Sequence, residues 1–262
     1  MSKILVPTDF SMTARNAIGY AIRMAKQVNA ELVIFHANDP DLNRIEVDIL
    51  KDFDFLKKDI EAGLVSPISI EYHFENGKLI DLLPKMAAKF KVDLVLMGTN
   101  GISDTISFKV GSNAYAAIEE CRIPVLVVPP QADFEGINKI VLSVDYRQSF
   151  EDLPLIPLMN MLQLLEGELY VLSVIDKEVE SQAVPKMDVQ KIRTLLKNTA
   201  HSFHYVYQED IEKAINDFCS MHYADMLITF PKNHSWVKKM FNNTHTQNLV
   251  YHIKLPVLAI HE

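Results

Sequence analysis

The chain has 262 residues, 48% of them hydrophobic and 23% charged, with a formal net charge of -8. That length and apolar content suffice for a substantial core in one or two domains. The acidic balance argues against a nucleic-acid binder, which needs a basic face to neutralise phosphates. No run reaches the roughly 18 to 20 apolar residues of a membrane span, so no membrane role is expected. The opening stretch MSKILV leads straight into a strand-like run with Asp9 close behind; no signal peptide is visible and the expected location is the cytoplasm. Cys121 and Cys219 are too few for a disulfide scaffold, and reduced core thiols are expected.

Lys3 to Val6 is a short run rich in branched residues and reads as a buried parallel strand. Ser11 then offers an N-cap, and Ala14, Ala17, Ile18, Ala21, Ile22, Ala25 and Val28 keep helical spacing through to Asn29. Glu31 to Ala37 is the next strand. Ile45, Ile49, Phe53, Leu56 and Ile60 mark one face of a second helix. Ile68 to Phe74 is strand-like, and Asn76-Gly77 turns into a helix carrying Leu79, Leu83, Met86, Ala87 and Phe90. Pro84 inside that helix predicts a kink or a displaced start. Asp93 to Gly98 is a strand, Ser112 to Cys121 a helix and Pro124 to Pro129 a closing strand. Strands alternating with helices in this way imply a parallel sheet covered on both faces.

The pattern then begins again. KIVLSVD at 139–145 repeats KILVPTD at 3–9, and ELYVL at 168–172 repeats ELVIF at 31–35. ADMLI at 224–228 echoes VDLVL at 92–96, and LPVLA at 255–259 echoes IPVLV at 123–127. Four matches in the same order, at offsets of 136, 137, 132 and 132, point to a duplicated domain. The expected domains are 1–130 and 138–262, joined by the segment 129–136.

Candidate chemistry concentrates in the first copy. In VLMGTNGISDTISFKVGS, at 95–112, an apolar strand ends in Gly98 and is followed by Gly101 and then by Gly111-Ser112 opening a helix. Glycine lets the backbone approach a ligand, and free amides at a helix start attract an anion, so this arrangement reads as a phosphate cradle. The plain alternative is that these are ordinary turn residues. Neither GxxxxGK[ST] nor GxGxxG is present. Asp9 serves either a ligand or the cap of the following helix, Met97 is either ligand wall or core, and Ser112 either meets a phosphate or simply opens its helix. Applying the offset of 132 sets Phe230 opposite Gly98, Asn233 opposite Gly101, Asn243 opposite Gly111 and Thr244 opposite Ser112, and no glycine follows Gly167. Ser143-Val144 stands where the first copy has Pro7-Thr8, although Asp145 is retained. One competent site, in the first copy, is therefore predicted, with a degenerate second copy whose hollow Phe230 fills.

The spacing Gly98-x2-Gly101-x9-Gly111-Ser112, together with Pro7-Thr8-Asp9, resembles the nucleotide signature of ATP-binding universal stress proteins, and the layout resembles a tandem member of that family. The resemblance implies two five-stranded parallel-sheet α/β domains, adenine-nucleotide α-hydrolase-like and Rossmann-like, paired as a pseudo-dimer through their closing strands. It implies that Pro7, Thr8 and Asp9 meet adenine and ribose, that Ala37 contacts the base through its backbone, and that Met97 and Gly98 line the nucleotide. Gly101, Gly111, Ser112 and Asn113 would hold ribose and phosphates. Asn113 and Ala37 depart from the family pattern, which has a small or β-branched residue at the first and a branched one at the second. The implied role is that of a cytoplasmic ATP-binding regulatory protein of the stress response, with or without Mg2+, acting through unidentified protein partners. No water-activating base or arginine finger is evident, so no dedicated enzyme is expected. The rival readings are a nucleotide-free interaction scaffold and a slow ATP hydrolase, and association of whole chains into a homodimer is left open.

Other constellations carry less. His201 and His204 point to opposite faces if their segment is a strand, and the remaining histidines have no recognised ligand spacing, so no metal site is expected. No GxSxG elbow occurs.

Overall fold

The computed structural model describes residues 2–42, 44–63, 66–99, 112–145, 153–175, 189–231 and 255–261, with Ser112 and Val189 placed in backbone only. The described residues up to Phe134 form one compact unit and those from Glu135 onward a second.

In the first unit five strands form a parallel sheet: β1 (Lys3–Pro7), β2 (Glu31–Asn38), β3 (Ile70–Asn76), β4 (Leu94–Gly98) and β5 (Val125–Val128), in the order β3-β2-β1-β4-β5. The inner strands are apolar almost without interruption because helices cover both faces. Ile4, Leu5, Val6, Leu94, Val95 and Leu96 are all buried, whereas β3, on the outside of this unit's sheet, is only part-buried. Asp93 fastens β4 to β1 at both of its polar ends: its carboxylate accepts from the Lys3 amide at 3.0 Å and its own N–H donates to the Lys3 carbonyl at 2.9 Å.

Helix α1 (Met12–Val28) begins where predicted, with Ser11 Oγ accepting from the Ala14 amide at 3.2 Å, and ends on Asn29 in the left-handed region. Helix α2 (Glu46–Gly63) buries Ile49, Phe53, Leu56 and Ile60. Ile45, expected on the same face, precedes the helix and is 61% exposed, because apolar spacing alone does not mark where a helix starts. Helix α3 (Leu79–Phe90) runs unbroken through Pro84, so its start is not displaced; the proline removes only the bond that would have gone to the Ile80 carbonyl. Helix α4 (Ser112–Glu120) leads to β5. The stretch after β5 stays with this unit. Asn16 donates to the Pro129 carbonyl at 3.2 Å, Arg23 pairs with Asp133, and the Phe134 ring stands edge-on to Tyr20 at 4.9 Å.

The second unit repeats the plan with β6 (Lys139–Ser143), α5 (Leu155–Leu165), β7 (Glu168–Ile175), α6 (Val189–Leu195), β8 (His201–Tyr207), α7 (Ile211–His222), β9 (Met226–Thr229) and β10 (Val257–Ala259). Its parallel order, β8-β7-β6-β9-β10, is the first unit's order again. Asp225 repeats the clasp of Asp93, accepting from the amides of Asn138 and Lys139 at 2.8 and 2.9 Å and donating to the Lys139 carbonyl at 2.9 Å. Shared order and shared clasp are what a duplication leaves behind.

Cys121 and Cys219 are free and buried, and burial pushes their thiols up to about 11 and about 12, so both stay protonated and unreactive at neutral pH. Among the described residues no helix is long and apolar enough to cross a membrane.

Candidate functional site

In the order β3-β2-β1-β4-β5 the connections run one way from β1 toward β3 and the other way from β4 toward β5. That reversal leaves a crevice at the carboxyl ends of β1 and β4, where open α/β sheets bind ligands. The first unit has a cavity of about 410 Å³ at this place, within the range of small-molecule sites. Pro7, Thr8 and Asp9 line it from the end of β1, His36 and Ala37 from β2, Met97 and Gly98 from β4. The 3-10 turn at Pro40–Leu42 contributes Leu42, with Asp39 just before it. Three helices begin on the cavity: Ser11, Thr13 and Ala14 come from the start of α1, Lys78 to Asp81 from the start of α3, and Asn113 and Ala114 from the start of α4.

Seven of the ten nominated residues thus meet at one cavity: Pro7, Thr8, Asp9, Ala37, Met97, Gly98 and Asn113. Ser112 is the first residue of α4. Gly101 and Gly111 lie outside the described residues.

The turn from β1 into α1 is held by Thr8, which is 7% exposed. Its amide donates to the Phe35 carbonyl at 2.8 Å, its hydroxyl accepts from the Phe10 amide at 3.0 Å, and its carbonyl accepts from His36 Nδ1 at 2.8 Å. Asp9 Oδ1 accepts from the Ser11 amide at 3.0 Å, a local turn just ahead of the helix, whose cap is Ser11 itself. That turn does not exclude a ligand role, because Asp9 is exposed and lines the cavity, with Oδ2 unbonded among the described residues.

Gly98 has a structural reason that the glycine pattern did not disclose. A Cβ there would stand 2.9 Å from the Thr13 carbonyl oxygen and 3.1 Å from Thr13 Cγ2. The close backbone approach is that of α1 to β4, so the absence of a side chain at this position lets the helix start seat against the strand end. Met97, buried, is core that also shows one side to the cavity.

Helix starts present unpaired amides and the positive end of the helix dipole, and three of them converge here. Lys78, the N-cap of α3, gives that helix no side-chain cap and is the one cation among the described lining residues. Its Nζ lies 3.4 Å from Asp41 Oδ2, both side chains being well exposed, which makes a weak pair. Asp9, Asp39 and Asp81 bring negative charge to the same rim. Apolar residues line the cavity as well, among them Ala37, Leu42, Leu79 and Ile80. His36 is held below the ordinary imidazole range, chiefly by burial; Arg44 pushes the same way, while the Thr8 bond, Asp9 and Asp52 pull against it. The imidazole is therefore neutral near pH 7.

His36, Lys78, Leu42 and the first turn of α3 were not singled out from the sequence. A signal existed for Lys78, a cation directly after the Asn76-Gly77 turn and before a helix on the same sheet edge. In the second unit, Ser143, Val144 and Phe230 are all buried, Phe230 to 1%. Asn233, Asn243 and Thr244 lie outside the described residues. Among the described residues no group of three or more His, Cys, Asp or Glu side chains is placed to hold a metal ion.

Comparison with known proteins agrees with this architecture. The model of the universal stress protein family matches residues 1–129. A universal stress protein of Methanocaldococcus jannaschii is 30% identical over 137 residues, covering 48% of this chain and 81% of the relative. A relative from Staphylococcus haemolyticus, named for the same family, is 27% identical over 158 residues, covering 56% of this chain and 96% of its own. The crystal structure of a universal stress protein from Archaeoglobus fulgidus superposes with a TM-score of 0.66, covering 99% of this chain and 98% of that one at 14% identity, and so shares the fold along the whole length. The chain belongs to the universal stress protein family.

Proposed function

We propose that the first unit binds ATP and that the chain is a regulatory protein of the stress response that holds the nucleotide instead of turning it over. The observation that carries this reading is the convergence of three helix starts and three strand ends on one cavity. The apolar lining residues Ala37, Leu42, Leu79 and Ile80 suit a planar base. Asp9 has a carboxylate oxygen available for ribose hydroxyls, and the start of α4 supports phosphates through Asn113 and its neighbours. The residues present fit such a ligand. The carboxylates of Asp39 and Asp81 leave room for Mg2+ to accompany it, a cation offsetting charge that Lys78 alone does not balance. The phosphates supply only charge for the protein to read; what this chain does is order its own surface around them and present that surface to protein partners in the cytoplasm.

The test is calorimetric titration of ATP into the full chain and into Ala37→Trp, whose indole would project from the strand end into the apolar lining. The expected result is measurable binding to the natural chain and at least about a tenfold loss in the variant, the equivalent of about 1.4 kcal/mol. Equal affinity in both would remove the base from this cavity.

A further inference from the structure

His36 is next to Ala37 on β2, but strand alternation turns its ring to the opposite face from the Ala37 Cβ. The side chain is 4% exposed, and its Nδ1 lies 2.8 Å from the carbonyl oxygen of Thr8, a residue 28 positions earlier. A carbonyl oxygen only accepts, so Nδ1 carries the proton and Nε2 carries a lone pair. That Nε2 is buried and has no partner among the described residues. An unpaired polar atom in such a place destabilises the fold, and an apolar side chain would fill the same space without it. What an imidazole adds here is the Nδ1–H donor.

The donor completes the fastening of one residue. The β1–β2 ladder ends with Pro7 opposite Phe35 and with the Thr8 amide on the Phe35 carbonyl, so the Thr8 carbonyl is the first acceptor beyond the sheet. With the Thr8 hydroxyl occupied by the Phe10 amide, His36 engages the last of the three polar groups of Thr8. Phe10 follows at φ 65°, a region that bulky residues avoid and hold only when their surroundings insist. Its ring lies against His36 at 4.8 Å and edge-on to Phe53 of α2 at 5.1 Å. The turn between them carries Asp9 to the cavity. We infer that His36, on the nucleotide reading above, is a positioning residue: its Nδ1–H fixes the Thr8 carbonyl and so sets where the Asp9 carboxylate stands.

Two substitutions separate the donor from mere bulk. In His36→Asn the amide N–H comes near the place of Nδ1, whereas in His36→Gln it reaches toward Nε2. ATP affinity is expected to fall about tenfold in His36→Gln, the scale of one hydrogen bond, and to stay within about threefold of the natural chain in His36→Asn. In a double-mutant cycle with Asp9→Asn, His36→Gln should cause little further loss, because both changes act on the same contact. A ligand-free arm measures hydrogen exchange at the Phe10 and Ser11 amides, which should quicken in His36→Gln and not in His36→Asn. A merely structural histidine would predict equal affinity losses in the two variants, losses that add to those of Asp9→Asn, and no difference in exchange between them; any of these overturns the inference. If the natural chain takes up no ATP at all, the nucleotide reading fails, and the exchange arm still decides whether His36 holds the turn.

Discussion

Lys78 shows how one side chain gives a cavity its preference. Exposed and paired only weakly with Asp41, it is free to exchange that carboxylate for a phosphate, since the pair contributes at most about 1 kcal/mol. The same position is the N-cap of α3, so the ammonium and the helix dipole favour the same kind of ligand. A charge that reads phosphate and not base should reveal itself by comparing ligands. Lys78→Ala is expected to weaken ATP roughly fivefold, about 1 kcal/mol, and to leave adenosine unchanged in parallel titrations. Equal losses for the two ligands would place Lys78 on the base or in the fold.

At the scale of elements, the site depends on how closely α1 seats against β4. Gly98 is the point of contact, and Gly98→Ala forces either the Thr13 backbone or the strand end to move. The substitution should destabilise the chain by about 1 to 3 kcal/mol in denaturant unfolding even without nucleotide, the usual cost of overpacking. Unchanged stability would mean that the approach of helix and strand is looser than 2.9 Å implies. The same residue marks the limit of what was legible beforehand. Alternating strands and helices, the N-cap at Ser11, the end of that helix near Asn29 and the repeat were all written in local spacing, and the expected elements fall within a few residues of expectation. The glycine pattern led to the strand end that lines the cavity, yet Gly98 also has a structural reason that depends on Thr13, 85 positions away. Ile45 went astray because apolar spacing does not fix a helix start, and of the two outcomes expected at Pro84 the displaced start did not occur. His36 was missed for a related reason: its hydrogen bond is to Thr8, distant in sequence and reached across the β1–β2 ladder.

For the whole molecule, duplication has produced two copies of one strand order with different fates at the sheet end. The first copy keeps Pro7, Thr8 and Gly98 around an open cavity, while the second has buried Ser143, Val144 and Phe230 at the corresponding positions. Phenylalanine cannot stand where glycine admits a helix start without the local packing being rebuilt, so the two sheet ends are packed differently at this position. The proposed reading places one nucleotide on the chain, in the first unit, and that location is the central claim. The most direct measurement is photolabelling of the full chain with 8-azido-ATP, followed by peptide mapping with and without excess ATP. The account predicts a single ATP-protected adduct, among residues 7–14, 36–42 or 78–81. An adduct in the second unit, or labelling that excess ATP does not suppress, would contradict it.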